Sequence, residues 1–369
     1  MKLMYLYDGG DMRHRVLTGI DHKVLAQVKT FNENEVQCEL VCPPRRGNIS
    51  TLLQCIPFFP DRTIWSDALT TADVDAVYLR RPVYVSKELI AQLKRLRKRL
   101  PHVKILFEIP TWPYDKEMQT PRYLPVLIKD RIYRRRLKGL VDYIVDISGT
   151  DNILGIPTIH IHNGIDLDLV RKRHPSYQSD CVHLVFVAMF SEWHGADRVL
   201  EGLKLYMQSD YKQRIIVHFV GEGPSYRNLV NLTKEYRLES CVMFHGNCNR
   251  EEMDHIYDEC TMGIASLGLH RIGIGDASTL KTREYLAKGL PFVYSGAIQE
   301  FEQDPVDFCL QFTDDESPID IDDVIDFHKL LYEKYSEEDL INRIRRYAEM
   351  HIGMTETLRP VIEVLQNGD

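Results

Sequence analysis

The chain has 369 residues, of which 44% are hydrophobic and 27% charged, and a net charge of −8. That length exceeds one ordinary core and suits two domains of about 150 to 200 residues, and the composition excludes a disordered polymer. The acidic balance argues against bulk affinity for nucleic acid, and no apolar run is long enough to cross a bilayer, so a cytoplasmic protein is expected.

Met1 leads directly into the strand-like Leu3 to Tyr7 rather than into a signal peptide. That strand ends in Asp8-Gly9-Gly10, a small-residue loop where open α/β sheets bind ligands, and Gly19 to Phe31 reads as the helix that follows. No G-x-G-x-x-G is present, so a dinucleotide is not implied. Strands Val36 to Cys42, Ala76 to Leu79, Lys104 to Ile109, Tyr143 to Ile147 and Thr158 to Ile161 alternate with helices around Ser50 to Ile56 and Ser86 to Leu100. Alternation of this kind predicts a parallel sheet wrapped by helices.

Glu108 ends one of those strands and opens a proline-stiffened stretch with Trp112, Tyr114 and Asp115, where aromatic faces and carboxylates suit a sugar acceptor. From Pro121 to Leu140 seven Lys and Arg face one acid, Asp130, with apolar residues interleaved. Such a run reads either as a solvated basic face or as an element lying on an anionic membrane surface. The polar stretch Arg171 to Asp180 is the best linker candidate.

The pattern then restarts: strand His183 to Ala188, helix Asp197 to Tyr206, strand Ile215 to Val220 ending in Gly221-Glu222-Gly223, helix Tyr226 to Tyr236, strand Val242 to His245, helix Arg250 to Glu259 and strand Met262 to Ala265. The eight cysteines are scattered and read as reduced thiols, and Cys241, His245 and Cys248 lack a fourth clustered ligand for a metal. Three Asp-x-Asp spellings, at Asp73, Asp166 and Asp320, fall at loops or helix starts where Asp caps well. The tail is acidic from Asp314 to Asp326, then helical from Glu337 to Met350 and Glu356 to Leu365.

One stretch organises the rest. Between Gly273 and Pro291 a loop carries Asp276, Ser278 stands where an N-cap belongs, and a helix from Thr279 and Leu280 to Lys288 stops at Gly289. Free N–H groups at such a helix start favour an anion. Lys281 in the first turn and Glu284 on the Leu280 face are unfavourable choices for a plain helix; the stretch reads either as a surface helix with Glu284 half exposed or as a nucleotide-sugar site with Lys281 against a phosphate and Glu284 against ribose hydroxyls.

From Asp276 to Glu284, continuing to Gly289-Leu290-Pro291, the segment resembles the donor signature of retaining GT-B glycosyltransferases of family four, which usually carry Glu where this chain has Asp276. Tyr78-Leu79-Arg80-Arg81-Pro82 and the stretch around Tyr114 resemble bacterial capsule and exopolysaccharide enzymes, and Asn163-Gly164-Ile165-Asp166 resembles the turn into the family's second domain. The resemblance implies an α/β GT-B architecture of two Rossmann-like domains facing across a cleft. It implies an acceptor domain over 1–168 with Arg80, Glu108, Tyr114 and Asp115 on the acceptor side, and a nucleotide-sugar domain over 169–345. A helix over 346–369 is expected to pack back on the first domain.

Where the family places an Arg and a Lys against the donor diphosphate, this chain has Met189 and His194, with Arg198 a replacement cation. Catalysis is then expected at Asp276, Lys281, Glu284 and Glu108, and donor binding also at Gly9, Gly10, Gly221, Glu222, Ser278, Thr279 and Leu280. The implied donor is a nucleoside diphosphate sugar, UDP-sugar foremost, used without metal or other cofactor. The acceptor is a glycan or polyprenyl-linked glycan, at the inner face of the plasma membrane. The departures at Asp276, Met189 and His194 leave open a non-catalytic GT-B-like subunit that binds glycan or a partner, and a sugar-nucleotide epimerase of the same architecture is a third reading.

Overall fold

Strands covered on both faces need helices on both faces, and the chain supplies them by alternating the two. The structure, a computed structural model, describes residues 1–12, 17–43, 65–115, 123–147, 149–177, 180–209 and 213–367. The helix expected around Ser50 to Ile56 and positions 121, 122, 178 and 179 lie outside them.

Met1–Gly164 with Met354–Asp369 form one unit and Ile165–Gly353 the other. In the first, β1 (Lys2–Leu6), β2 (Gln37–Val41), β3 (Ala76–Arg80), β4 (Lys104–Ile109), β5 (Tyr143–Asp146), β6 (Asn152–Ile153) and β7 (Ile156–His160) are ordered β2-β1-β3-β4-β5-β7-β6. All pair in parallel except the short β6.

The second unit holds β8 (Cys181–Val187), β9 (Arg214–Val220), β10 (Val242–Gly246), β11 (Met262–Ile264), β12 (Phe292–Ser295) and β13 (Cys309–Phe312). These are ordered β10-β9-β8-β11-β12-β13, all parallel. The order reverses between β1 and β3 in one sheet and between β8 and β11 in the other. At such reversals adjacent loops diverge, leaving a crevice at the carboxyl ends of the strands.

The helix Met354–Gln366 packs on the helix Gly19–Glu33 and on β7, and its Leu358, Val361, Ile362 and Leu365 share a core with Leu3, Tyr5, Val24 and Phe31. The helix Glu337–His351 instead lies against the helix Leu280–Lys288 of the second unit, where Arg345 donates to the carbonyls of Leu167, Val170 and Ala287 at 2.8 Å each. The stretch expected to serve as a linker is pinned to the second unit: Arg171 pairs with Asp254 and Asp258, and Arg173 donates to Glu337 at 2.6 Å. The acidic run Asp314 to Asp326 hides a helix, Ile321–Lys334, whose start is fixed by the Asp320 carboxylate accepting from the Asp322 and Asp323 N–H groups.

Three imidazoles form a ladder across β8, β9 and β10. His183 Nδ1 lies 3.0 Å from His218 Nε2, and His218 Nδ1 lies 3.0 Å from His245 Nε2. The central ring is 1% exposed, and burial, reinforced by its two neighbours, pushes its pKa down to about 4. Burial does the same to His328, also to about 4, where Nε2 meets Thr261 Oγ1 at 2.9 Å.

Unfolded histidine takes its proton near pH 6.5 while these take theirs near 4, so between those values the unfolded chain binds more protons. Their stabilising contribution is complete above pH 6.5 and lost as pH falls toward 4. Thermal melts are therefore expected to shift down from pH 7.5 to pH 5. In His218→Gln the pH slope of stability should shrink by up to about 1.4 kcal/mol per unit, and a slope unchanged from wild type would count against the ladder.

Candidate functional site

At the β8/β11 reversal the loop of residues 265–279 leads into the helix Leu280–Lys288. The loop is sewn to the end of β12: Ala277 N–H donates to Ala297 O at 2.7 Å and Ala297 N–H to Gly275 O at 2.8 Å. Asp276 Oδ1 accepts the Ser278 N–H at 2.8 Å, closing a local turn. The cap is Thr279 rather than Ser278, with φ −79° and ψ 163° and no side-chain capping bond. Ser278 is buried, and its hydroxyl goes 3.3 Å to Glu300. The first-turn N–H groups thus have neither intrahelical partners nor a side-chain cap.

Beside this uncapped mouth two polar atoms are fully covered yet have no hydrogen-bond partner among the described residues, Thr279 Oγ1 and Lys281 Nζ. The ammonium sits 4.9 Å above the Phe186 ring of β8, and burial pulls its pKa down to about 7. Polar groups buried without partners cost stability, and two of them at one uncapped helix start make it a candidate anion site.

The loop after β8 forms the adjoining wall. Gly195, at φ +70°, is pressed so close that a β-carbon would lie 2.7 Å from the Leu267 carbonyl carbon. His194 is 5% exposed, and burial together with the nearby Lys281 charge pushes its pKa down to about 2, so the ring is neutral. Its Nδ1 accepts the Ser191 N–H at 3.0 Å, which puts the remaining ring proton on Nε2. His194 is therefore a neutral hydrogen-bond donor rather than the pH-dependent cation that an ordinary histidine would supply. Met189 is 72% exposed at the loop tip.

Arg198, expected as a replacement cation, has other work. Its buried guanidinium donates to the carbonyls of Leu267, Ser317 at 2.6 Å and Thr313 at 3.1 Å, holding together the loops that follow β11 and β13. Gly221 and Glu222 follow β9. A β-carbon at Gly221 would come 2.1 Å from Ala188 O, and the Glu222 carbonyl accepts the Phe190 N–H at 2.8 Å, so they shape the wall through backbone, with the Glu222 side chain exposed.

Glu284, one turn beyond Lys281, is half-buried and forms no ion pair among the described residues. Burial raises its carboxyl pKa, against a smaller opposing pull from Lys288. Lys288 is itself bound to Asp254. Sequence reasoning missed the buried Arg283–Glu300 pair that steadies the helix mouth, and Ser266, whose hydroxyl is buried without a partner among the described residues just past β11. Neither could be foreseen: the first pair spans a strand, and a lone serine carries no signal.

The acceptor-side residues belong to the first unit and are satisfied by their own neighbours. Glu108 is 0% exposed; it accepts from Tyr78 at 2.7 Å and Gln27 at 3.2 Å, and pairs with Arg80 and with Lys23 at 3.4 Å. Burial alone would raise its pKa, but Arg80, Lys23 and these hydrogen bonds outweigh it and hold it near 2. Both Glu108 oxygens are thus engaged within the unit, and Arg80 gives its Nη1 to that carboxylate.

Tyr114 is buried beneath the Arg81 guanidinium, 3.8 Å from the ring centre, and donates to Asp130 at 2.7 Å. Asp115 accepts from Arg131 at 2.7 Å and Arg134 at 2.5 Å. Gly9 and Gly10, expected on the donor, also belong to the first unit.

Residues 171–296 match the family model of Glycosyl transferases group 1. Among solved structures the chain resembles sucrose-phosphate synthase from Thermosynechococcus elongatus, at 13% identity and TM-score 0.66 with both chains covered in full. It also resembles the Anabaena protein HepE in complex with UDP and glucose, at 12% identity and TM-score 0.63 with full coverage of both. A third is the lipopolysaccharide outer core galactosyltransferase WaaB, at 12% identity and TM-score 0.58, covering 100% of this chain and 99% of that one. No curated protein matches. These likenesses establish the fold: two parallel-sheet α/β units in the GT-B architecture.

Two outcomes follow from the geometry. A diphosphate beside Lys281 restores an ordinary lysine pKa, so binding takes up a proton above pH 7. Affinity for UDP-glucose, whose diphosphate charge is constant in this range, is expected to fall by up to about tenfold per pH unit above 7 and to lose that slope in Lys281→Met; titration calorimetry in buffers of different ionisation enthalpy checks it. Glu108→Ala leaves Arg80 and Lys23 buried without their carboxylate and should destabilise the chain by roughly 3 to 5 kcal/mol, read by denaturant unfolding.

Proposed function

We propose that this chain is a retaining glycosyltransferase that moves a sugar from a nucleoside diphosphate sugar, foremost a UDP-sugar, to a glycan or polyprenyl-linked acceptor in surface polysaccharide synthesis. The observation that carries this reading is the buried, unpartnered Lys281 ammonium at an uncapped helix start, inside the segment that matches the glycosyl transferase family. The GT-B fold and the UDP complexes of its structural neighbour HepE support the class of donor.

The chemistry asks for charge stabilisation where the leaving group departs. As the bond between the anomeric carbon and the diphosphate oxygen lengthens, negative charge grows on the phosphates, and the helix N–H groups, Lys281 and the Nε2–H of His194 take it up. Their geometry is set before reaction: Asp276 and Glu300 hold the loop, and Gly195 seats the histidine. These fixed donors do a metal's work on the phosphates, so no metal is invoked. The acceptor hydroxyl attacks from the face the leaving group vacates and passes its proton to the departing diphosphate oxygen as the new glycosidic bond forms, which retains configuration. Glu284 is assigned to the ribose hydroxyls and Asp276 to the donor sugar through the carboxylate oxygen left over from the Ser278 N–H.

A second reading, a GT-B-like subunit that binds nucleotide sugar or glycan without catalysis, draws on the exposed Met189 and on an Asp276 carboxylate already engaged in its own loop. Release of nucleoside diphosphate from a panel of nucleotide sugars, with and without lipid-linked acceptors, separates the two. Wild type is expected to turn over one donor, with Lys281→Ala lowering kcat by roughly 100-fold or more and Glu284→Ala raising KM by about tenfold or more. Equal background rates for wild type and both variants across the panel would leave only the binding reading.

A further inference from the structure

We propose that the outward face of residues 123–138 docks on an anionic membrane surface. The proposal rests on the first unit alone and stands apart from the donor assignment.

The basic run of this segment divides into two sets once its contacts are known. Lys129 is buried and lies 4.9 Å from the Tyr84 ring centre, Arg134 is bound to Asp115 and Asp130, and Arg131 shares Asp115. These residues build the unit. Asp130, the segment's one acid, is 0% exposed and accepts from the Val85 N–H at 2.9 Å and the Tyr114 hydroxyl at 2.7 Å. The helix Leu124–Tyr133 is thus anchored through its inner face by Val126, Leu127, Lys129, Asp130 and Tyr133, which leaves its opposite face exposed.

What remains outside is apolar and basic. Leu124 and Ile128, 48% and 43% exposed, stand one turn apart on a stripe that continues to Arg131, with Tyr123 beside them at 43%. Arg135, Arg136 and Lys138 follow, all exposed, in and just past the turn Arg134–Leu137 that closes the helix. No acid is exposed between 123 and 141, on a chain whose net charge is −8.

Apolar side chains at one end and, at the other, exposed cations with no ion pair among the described residues, Arg136 lying 5.2 Å from the Tyr133 ring centre, match an interface where acyl chains adjoin anionic headgroups. A second copy of this acidic chain offers charge but no reason for the exposed leucine and isoleucine to sit beside it. The same placement would bring a polyprenyl-linked acceptor and the enzyme to one surface.

The test is cosedimentation of the full chain with vesicles of phosphatidylcholine, with and without phosphatidylglycerol, over a range of salt. Wild type is expected to bind the anionic vesicles at least about tenfold more tightly than the zwitterionic ones and to lose that preference as salt rises. The triple variant Arg135→Glu, Arg136→Glu, Lys138→Glu should abolish the preference, and Leu124→Ser with Ile128→Ser should weaken binding at every salt concentration.

All variants should keep the wild-type thermal shift with UDP-glucose, so a failure of vesicle binding is distinguishable from a failure of the donor reading. Equal binding of wild type to both vesicle types, or of the triple variant and wild type to anionic ones, overturns the proposal. So does a concentration-dependent dimer of wild type that Ile128→Ser dissolves in the absence of vesicles.

Discussion

An ammonium group covered from water with no hydrogen-bond partner among the described residues is the constraint on which the reading of the second unit depends. The Lys281 ammonium is covered, faces the Phe186 ring, and is pulled toward neutrality by burial. A chain that only needed a stable helix would place an acid or a small residue in that first turn. Much of the local structure follows from keeping this position available. The Ser278 hydroxyl is drawn away to Glu300, Thr279 caps without its side chain, and the loop after β8 is pressed in by Gly195 until His194 becomes a neutral donor beside the lysine.

The first unit solves the same electrostatic problem in the opposite way. Glu108 is as deeply buried as any charge among the described residues, yet Tyr78 and Arg80 of β3 and Lys23 and Gln27 of the helix Gly19–Glu33 meet it from two elements and occupy both its oxygens. Burial by itself therefore does not mark a functional group. The difference lies in satisfaction: a complete network specifies how strands and helices register, whereas an incomplete one keeps an unmet demand that water or a ligand can supply.

This distinction also decides what could be read in advance. The alternation of strands and helices was legible because each apolar run is local, and the Asp276-to-Glu284 signature was legible because its parts lie within one loop and two helical turns. The fate of Arg198 was not, because the carbonyls that claim it come from Leu267, Thr313 and Ser317, at separations of 69, 115 and 119 residues. Glu108 and Arg80 sit where an acceptor contact was expected, at the carboxyl ends of neighbouring strands, but their ring of partners is assembled from positions 23 to 108. The helix Ile321–Lys334 was hidden by its own acidic first turn, although Val324, Ile325, His328 and Leu331 lie at helical spacing on its buried face.

The closing helix Met354–Gln366 has a consequence for how the protein is made. It completes the core around Leu3, Tyr5 and Phe31, and Lys104 donates to the Val364 carbonyl 260 residues further on. During synthesis the sheet of the first unit emerges before the second unit, but its core stays incomplete until Met354–Gln366 has been made, after the whole of Ile165–Gly353. A nascent chain cut short before Met354 leaves Val24, Phe31 and Ile159 bare, and quality control meets that truncated product as exposed hydrophobic surface rather than as a smaller folded protein.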